Sequence, residues 1–239
     1  NTNGTHTTTD SNILLTGNVI LEAATALTTG AGAGNITVTG TIDSDAGNTW
    51  ALDLTADTGS IDLQSDVGAT DALASLTVNS ANNVDLQAVT AGTITQSAGT
   101  GTTTIDGVLT SNVGDINFTT NQIVQNGGIV SAGEVLLNAA ADVSLDAGSI
   151  TANRLIHIIA GAGVLQDAVN HGGLQATDLL LEGTGDFTLV TDAATNLISN
   201  VATVGTVAGV VTFENDQALV IGTVNDAAAN PSNGAAAQT

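Results

Sequence analysis

The sequence predicts an all-β chain wound as a parallel β-helix. Three observations carry this reading. A short phrase of two apolar residues around one polar residue recurs along the chain. The phrases pair at spacings of eight or nine residues, and larger units begin 20 to 24 residues apart. Repetition at that period marks a stacked architecture, in which one unit alone buries little and neighbours bury a continuous core.

The phrases run in order as Asn35-Ile-Thr-Val38, Ser60-Ile-Asp-Leu63, Asn83-Val-Asp-Leu86, Asp115-Ile-Asn-Phe118, Asp142-Val-Ser-Leu145, Asp186-Phe-Thr-Leu189 and Val210-Val-Thr-Phe213. Each alternates with period 2 between turn-forming residues, which is the signal of a short strand. Leu52 and Ile61, Leu76 and Val84, Val135 and Val143, Leu179 and Phe187, and Val211 and Leu219 are the paired strands. The larger units step from Leu52 to Leu76, from Val135 to Ile156 and from Ile156 to Leu179. A rung of two or three short strands has that length. Residues 13–224 then hold about ten rungs, a rod on the order of 50 Å at the ~4.8 Å strand spacing. The Ala-rich runs at 23–26 and 139–141 are flanked by Thr, Asn and Asp, and nothing else has a capped helical period. An antiparallel β-sandwich array is the alternative fold, since spacings of eight to eleven also suit hairpins. Scarce Asn-Gly and Asp-Gly turns favour the solenoid.

Residues 1–12 are Thr/Asn-rich without apolar pattern and read as an N-terminal extension. Residues 13–226 read as a single β-helix domain, and the Ala/Asn-rich stretch 227–239 as a flexible segment. There is no initiator Met and no basic leader, so a processed or excised piece is expected.

Of 239 residues, 23 are acidic and one, Arg154, is basic, for a net charge of −22. One Arg builds no basic patch, so nucleic-acid binding and docking to anionic membranes are excluded. No apolar run reaches the ~20 residues that span a bilayer, so no membrane insertion is expected. The absence of Cys excludes disulfides and thiolate chemistry. An apolar content of 42% argues against disorder despite the charge. The core must be aliphatic, because aromatic residues make up 2% of the chain.

The run Gly133-Glu-Val-Leu-Leu-Asn-Ala-Ala-Ala-Asp-Val-Ser-Leu-Asp-Ala-Gly-Ser-Ile-Thr-Ala152 resembles the β-helical repeats of filamentous-haemagglutinin-like adhesins. Residues 31–40 and 91–107 are similar to the β-strand repeats of very large bacterial surface proteins. The resemblance covers about residues 13–224. It implies a right-handed parallel β-helix in a secreted surface protein used for adhesion or as a structural fibre. The strict short repeats of that family are absent here. Asn1-Thr2-Asn3-Gly4 only faintly echoes its secretion motif.

Asp53, Asp62 and Asp85 each stand between two apolar strand residues, so alternation places them outside. The loop pairs Asp43/Asp45, Asp192/Asn196 and Glu214/Asp216 are the candidate Ca²⁺ ligands, because hard cations take carboxylate and amide oxygens. No other cofactor is expected. His157 is expected on the exposed face of a strand between Ile156 and Ile158. His171 is expected in a loop near Asp167, and His6 in the unpatterned start. The rows of Thr at 7–9 and 102–104 are too irregular for an ice-binding face.

No catalytic residues are assigned, and no enzyme is expected. β-Helix lyases need cations to stabilise developing negative charge, and Arg154 stands alone here. The sequence therefore points to a non-enzymatic, extracellular, structural or adhesive repeat protein of a bacterial cell surface. Its partner is expected to be itself, end to end or in fibres, or a neighbouring cell surface or glycan. A carbohydrate-active β-helix enzyme, or an ice- or carbohydrate-binding module, is the alternative. Ile13, Leu14, Leu15, Val19, Ile20 and Leu21 are expected at an end-to-end junction, because an open sheet edge recruits another strand.

Overall fold

The computed structural model describes residues 1–190, 196–204, 209–222 and 224. The expected flexible segment 227–239 lies outside them, as does Asp192. Among the described residues there is no helix, and the strands stack in parallel as a β-solenoid of about ten turns. Parallel pairing throughout excludes the antiparallel sandwich.

The strands form two sheets. The ten-stranded sheet takes one strand from each rung: β2 (Ile13–Leu15), β4 (Ile36–Val38), β7 (Ile61–Leu63), β9 (Val84–Leu86), β11 (Thr102–Ile105), β14 (Gln122–Gln125), β17 (Asp142–Leu145), β20 (Gly163–Gln166), β22 (Asp186–Leu189) and β24 (Val211–Phe213). The fifteen-stranded sheet holds the rest. These are β1 (Thr2–Thr7), β3 (Val19–Thr28), β5 (Ile42–Ser44), β6 (Ala51–Thr55), β8 (Leu73–Ser80), β10 (Val89–Gln96), β12 (Leu109–Ser111), β13 (Ile116–Thr120), β15 (Ile129–Ser131), β16 (Val135–Ala139), β18 (Gly148–Ala152), β19 (Leu155–Ala160), β21 (His171–Gly183), β23 (Leu197–Val204) and β25 (Val220–Ile221). The longer strands β3, β10 and β21 each pair with two series of shorter ones, so this sheet is two strips joined along a bend.

Register follows the phrases read in the sequence. In the ten-stranded sheet Ile13, Ile36, Ile61 and Val84 align and bury, and the column runs on to Phe187 and Val211. Along this column rungs range from 19 residues (Val84 to Thr103) to 25 residues (Ile36 to Ile61). A second column, Leu52–Leu76–Ile94–Ile116–Val135–Ile156–Leu179–Val201, lines the facing strip. Burial reads B-i-B along β4, β7 and β9, with the middle residue outside, as period 2 demands. The core is one cluster running along the stack, aliphatic except for Phe118 and Phe187.

A rung of two or three strands is expected, and the structure has three; the third strip comes from a column outside the strand pairs read in the sequence: Val19, Ile42, Val67, Val89, Leu109, Ile129, Ile150 and Leu174. Val19, Val89 and Leu174 stand near the starts of the long strands β3, β10 and β21. The separate strands β5, β12 and β15 are three residues long and β18 five, and Val67 contributes a lone bridge. The signal is a glycine two residues ahead, at Gly17, Gly40, Gly107, Gly127 and Gly148. These corners stack backbone on backbone. A Cβ at Gly40 would lie 2.3 Å from the Gly17 carbonyl carbon, and one at Gly127 would lie 1.9 Å from the Gly107 oxygen.

The N-terminal extension is also ordered. Thr2–Thr7 form β1, which lies parallel on β3 with His6 opposite Leu27. A strand of Thr, Asn, Gly and His has no apolar alternation to announce it, and backbone pairing holds it.

The glycine corners give a paired test. Gly127→Ala drives a methyl into the rung below and should lower stability by about 1–3 kcal/mol. Gly128→Ala meets its nearest atom at 3.6 Å and should change stability by less than about 1 kcal/mol. Chemical denaturation of both variants checks this, and equal midpoints would refute the corner stacking.

Candidate functional site

The outer face is acidic where rungs align. Asp62 and Asp85 are direct cross-strand neighbours, and Asp53 sits outward between Leu52 and Leu54. Partial burial pushes the Asp85 carboxyl up. A hydrogen bond from the Thr104 hydroxyl pulls it down, and the Asp62 and Asp106 charges push it up further.

Arg154 sits at the corner before β19. Its guanidinium pairs with Glu134 and lies 3.9 Å from Asp178. Asp178, placed opposite Leu155 by the register, also accepts a hydrogen bond from Asn200 Nδ2 at 2.8 Å. One corner below, Asp115 accepts the Glu134 N–H at 2.8 Å. Burial pushes the Asp115 carboxyl up, and Arg154 offsets this. Carboxylates from successive rungs thus share the chain's one permanent cation. Glu134 is buried, so the pair neutralises a charge that water does not reach.

The interior holds a polar ladder that the sequence reading did not find. Gln125, Gln166, His171 and Asn196 are all buried among the rungs. Gln125 donates to the Gly127 and Ala147 carbonyls at 2.5 and 2.8 Å. Asn196 accepts the Leu174 N–H at 2.8 Å and donates to the Glu214 carbonyl at 2.9 Å. His171 is not in a loop, as expected, but opens β21 with its ring turned inward. Nδ1 accepts the Gly173 N–H at 3.0 Å and faces Gln166 Nε2 at 2.8 Å, which leaves Nε2–H to donate to Gln125 Oε1 at 3.0 Å. Burial pushes this imidazole down to about 4, with Asp167 and Asp146 acting the other way. Asp167 itself caps the turn, accepting the Val169 and Asn170 N–H groups at 2.8 and 2.9 Å. Both ring nitrogens of His171 are engaged, so the ring is a neutral structural group.

His157 points outward as alternation requires, yet it is 3% exposed rather than open to solvent. It aligns with Leu180 on the outer face, and Leu180 with Ala202. Leu180 and Ala202 belong to a second apolar cluster with Leu155 and Val224. Burial pushes His157 down, opposed by Glu182 at 3.5 Å.

The proposed Ca²⁺ ligands fall in three places. Asp43 is buried and accepts the Thr70 N–H at 2.8 Å. Asp45 accepts Asn48 Nδ2 at 3.0 Å and the Trp50 indole N–H. Asn196 belongs to the interior ladder, while Glu214 and Asp216 lie exposed beyond β24. No group of three or more His, Cys, Asp or Glu arranged for a metal ion occurs among the described residues.

The proposed junction residues lie in the first rung. Ile13, Val19 and Leu21 are buried, Leu15 and Ile20 half-buried, and Leu14 is 60% exposed. A cavity of about 320 Å³ opens there between Thr2, His6, Ile13, Leu15 and Leu27. The opposite end opens through about 330 Å³ lined by Leu181, Val201, Val211, Phe213 and Leu219. Val220 and Ile221 are exposed at that end.

Comparison with family models, with curated proteins and with solved structures finds no match to this chain.

The two ionic features have separate tests. Arg154→Met should destabilise by about 2 kcal/mol, below the cost for a fully enclosed pair because Arg154 is 36% exposed. Adding Glu134→Leu should recover most of that loss, and a double variant no better than the single one would refute the pairing. His171 titrates near 6.5 when unfolded and near 4 when folded, so the unfolded chain binds its proton first as pH falls. Its contribution is therefore present above pH 6.5 and is lost towards pH 4. Wild type should lose on the order of 3 kcal/mol more than His171→Asn between pH 7 and 4. Identical pH slopes for the two chains would rule this out.

Proposed function

We propose that this chain is a non-enzymatic structural and adhesive rod of a bacterial cell surface. One observation carries the reading: ten strands of one sheet, one from each rung, remain parallel and in register along a single axis. Such a stack holds its length passively, because each rung's backbone bonds and apolar stripe are completed by its neighbours. Its outer positions carry Asp and Thr side chains on an acidic coat, which suits a solvated extracellular surface. Placement outside the cell is supported by the likeness of its repeats to filamentous-haemagglutinin-like proteins. In this role the rod spaces or displays, and its long outer faces meet a neighbouring surface or glycan. Further rungs are taken on at the ends of the stack.

Immunogold electron microscopy of the cells that make the protein tests this. Label on extended material at the cell surface is the expected result, and label confined to the cell interior would overturn it.

A further inference from the structure

We propose that Asn126 is a self-modification site. Its side-chain amide is converted to a carboxylate by attack of the Gly127 backbone nitrogen, at a rate set by how often this corner of the rod opens.

The corner after the ten-stranded sheet repeats along the rod. Asp106, Asn126, Asp146 and Asp167 each follow the last residue of a strand. Each donates its N–H to the strand-end carbonyl one rung back: to Leu86, Ile105, Gln125 and Leu145, at 2.9, 2.8, 2.8 and 2.8 Å. Their side chains therefore make one column of three acids and a single amide. Asn126 makes that column tolerable, because its Nδ2 donates to Asp106 Oδ1 at 2.7 Å, and a carboxylate in its place has no proton to donate. The residue after Asn126 is fixed by the same stacking. A Cβ at position 127 would lie 1.9 Å from the Gly107 oxygen, so only glycine fits. The fold thus sets an exposed amide directly before a residue with no side chain to shield its nitrogen.

This pair of residues can react with itself in water. Hydroxide removes the Gly127 amide proton, and the nitrogen attacks Asn126 Cγ. The N–Cγ bond forms, the Cγ–Nδ2 bond breaks, and Nδ2 leaves as ammonia with a proton taken from water. A water molecule then opens the cyclic imide at either carbonyl. One product keeps the original backbone, and the other has a backbone lengthened by the side-chain carbon. Both carry a new carboxylate.

The native corner holds this reaction back. Gly127 is buried, and its N–H donates to the Ile105 carbonyl at 2.8 Å. Its own carbonyl accepts Gln125 Nε2 at 2.5 Å, and Gln125 Oε1 accepts from His171 at 3.0 Å. The nitrogen is released only when these bonds part, so conversion follows local opening. The product does not restore the corner. Its carboxylate stands between Asp106 and Asp146, which puts like charges on consecutive rungs at the ~4.8 Å spacing. A lengthened backbone also has no room where the rungs stack backbone on backbone. Water does not reverse the step, so the rod carries a finite lifetime in its middle.

The test incubates the purified full chain at mildly alkaline pH and physiological temperature. Peptide mass spectrometry follows position 126, reading the exchange of an amide for an acid, and chromatography separates the two products. Wild type should convert to both products, at least about tenfold more slowly than the same chain in denaturant. Gln125→Ala frees the Gly127 carbonyl and should raise the native rate at least about fivefold, while changing the rate in denaturant by less than about twofold. Should Gln125→Ala melt far below wild type, His171→Asn replaces it and must also raise the native rate. Asn126→Asp should melt about 2–4 °C below Asn126→Ser, which keeps a donor for Asp106 and has no amide to lose. Equal rates in native and denatured chains, a ladder variant no faster than wild type, or an Asn126 that stays intact while the denatured chain converts fully overturns the gated site. Equal melting of the two Asn126 variants overturns its consequence for the rod.

Discussion

Parallel in-register pairing along one axis is the constraint on which the rest of the molecule depends. Each strand's bonds are completed by the rungs before and after it, at a spacing of ~4.8 Å. Every residue therefore has a near-equivalent neighbour above and below. An inward column must be apolar and of matched bulk, which is why Ile, Val and Leu recur at fixed positions. A corner column must leave room for backbone, which is why Gly40, Gly107 and Gly127 recur. An outward column may carry charge, but stacking then sets Asp62 against Asp85.

The same constraint explains how polar groups are tolerated inside. The stack leaves no water beside Gln125, Gln166, His171 and Asn196, so each must find its partners within a rung or one or two rungs away. Long amide side chains suit this, because they reach the turn carbonyls that the strands do not use. Gln125 does so across successive turns, bonding Gly127 and Ala147. The ladder ties corners together from the inside, while Arg154 ties them from the outside.

Much of the fold was legible because period 2 survives in the phrases of β4, β7, β9, β13, β17, β22 and β24. Two of the three strips, the rung length and the outward placement of Asp53, Asp62 and Asp85 all follow from it. The third strip was not read, because three-residue strands are too short for alternation to stand out, although the glycine two residues ahead marks them. β1 carries no signal, since its pairing is all backbone. Gln125 and Gln166 sit two residues after Ile123 and Val164, an inward parity that was readable, but polarity argued against burial. His157 had its direction read correctly. Its neighbours across the strands are Leu136 and Leu180, each some twenty residues away along the chain, and no local pattern encodes that. Asp43 and Asp45 drew attention as a carboxylate pair, but Asp43 accepts the Thr70 N–H of the next rung while Asp45 is bonded to its own turn through Asn48.

Arg154 also makes the chain a single-site substrate. A protease specific for Lys and Arg has one bond to cut in 239 residues, the one joining Arg154 to Leu155. That bond lies at the mouth of β19, where Leu155 is fully buried and the Arg154 carbonyl accepts the Asp178 N–H. Cleavage needs the chain there extended and free of its neighbours, so an intact stack resists it. Digestion by such a protease thus yields two fragments, of 154 and 85 residues, and its rate reports how often the middle of the rod opens while the ends go unread.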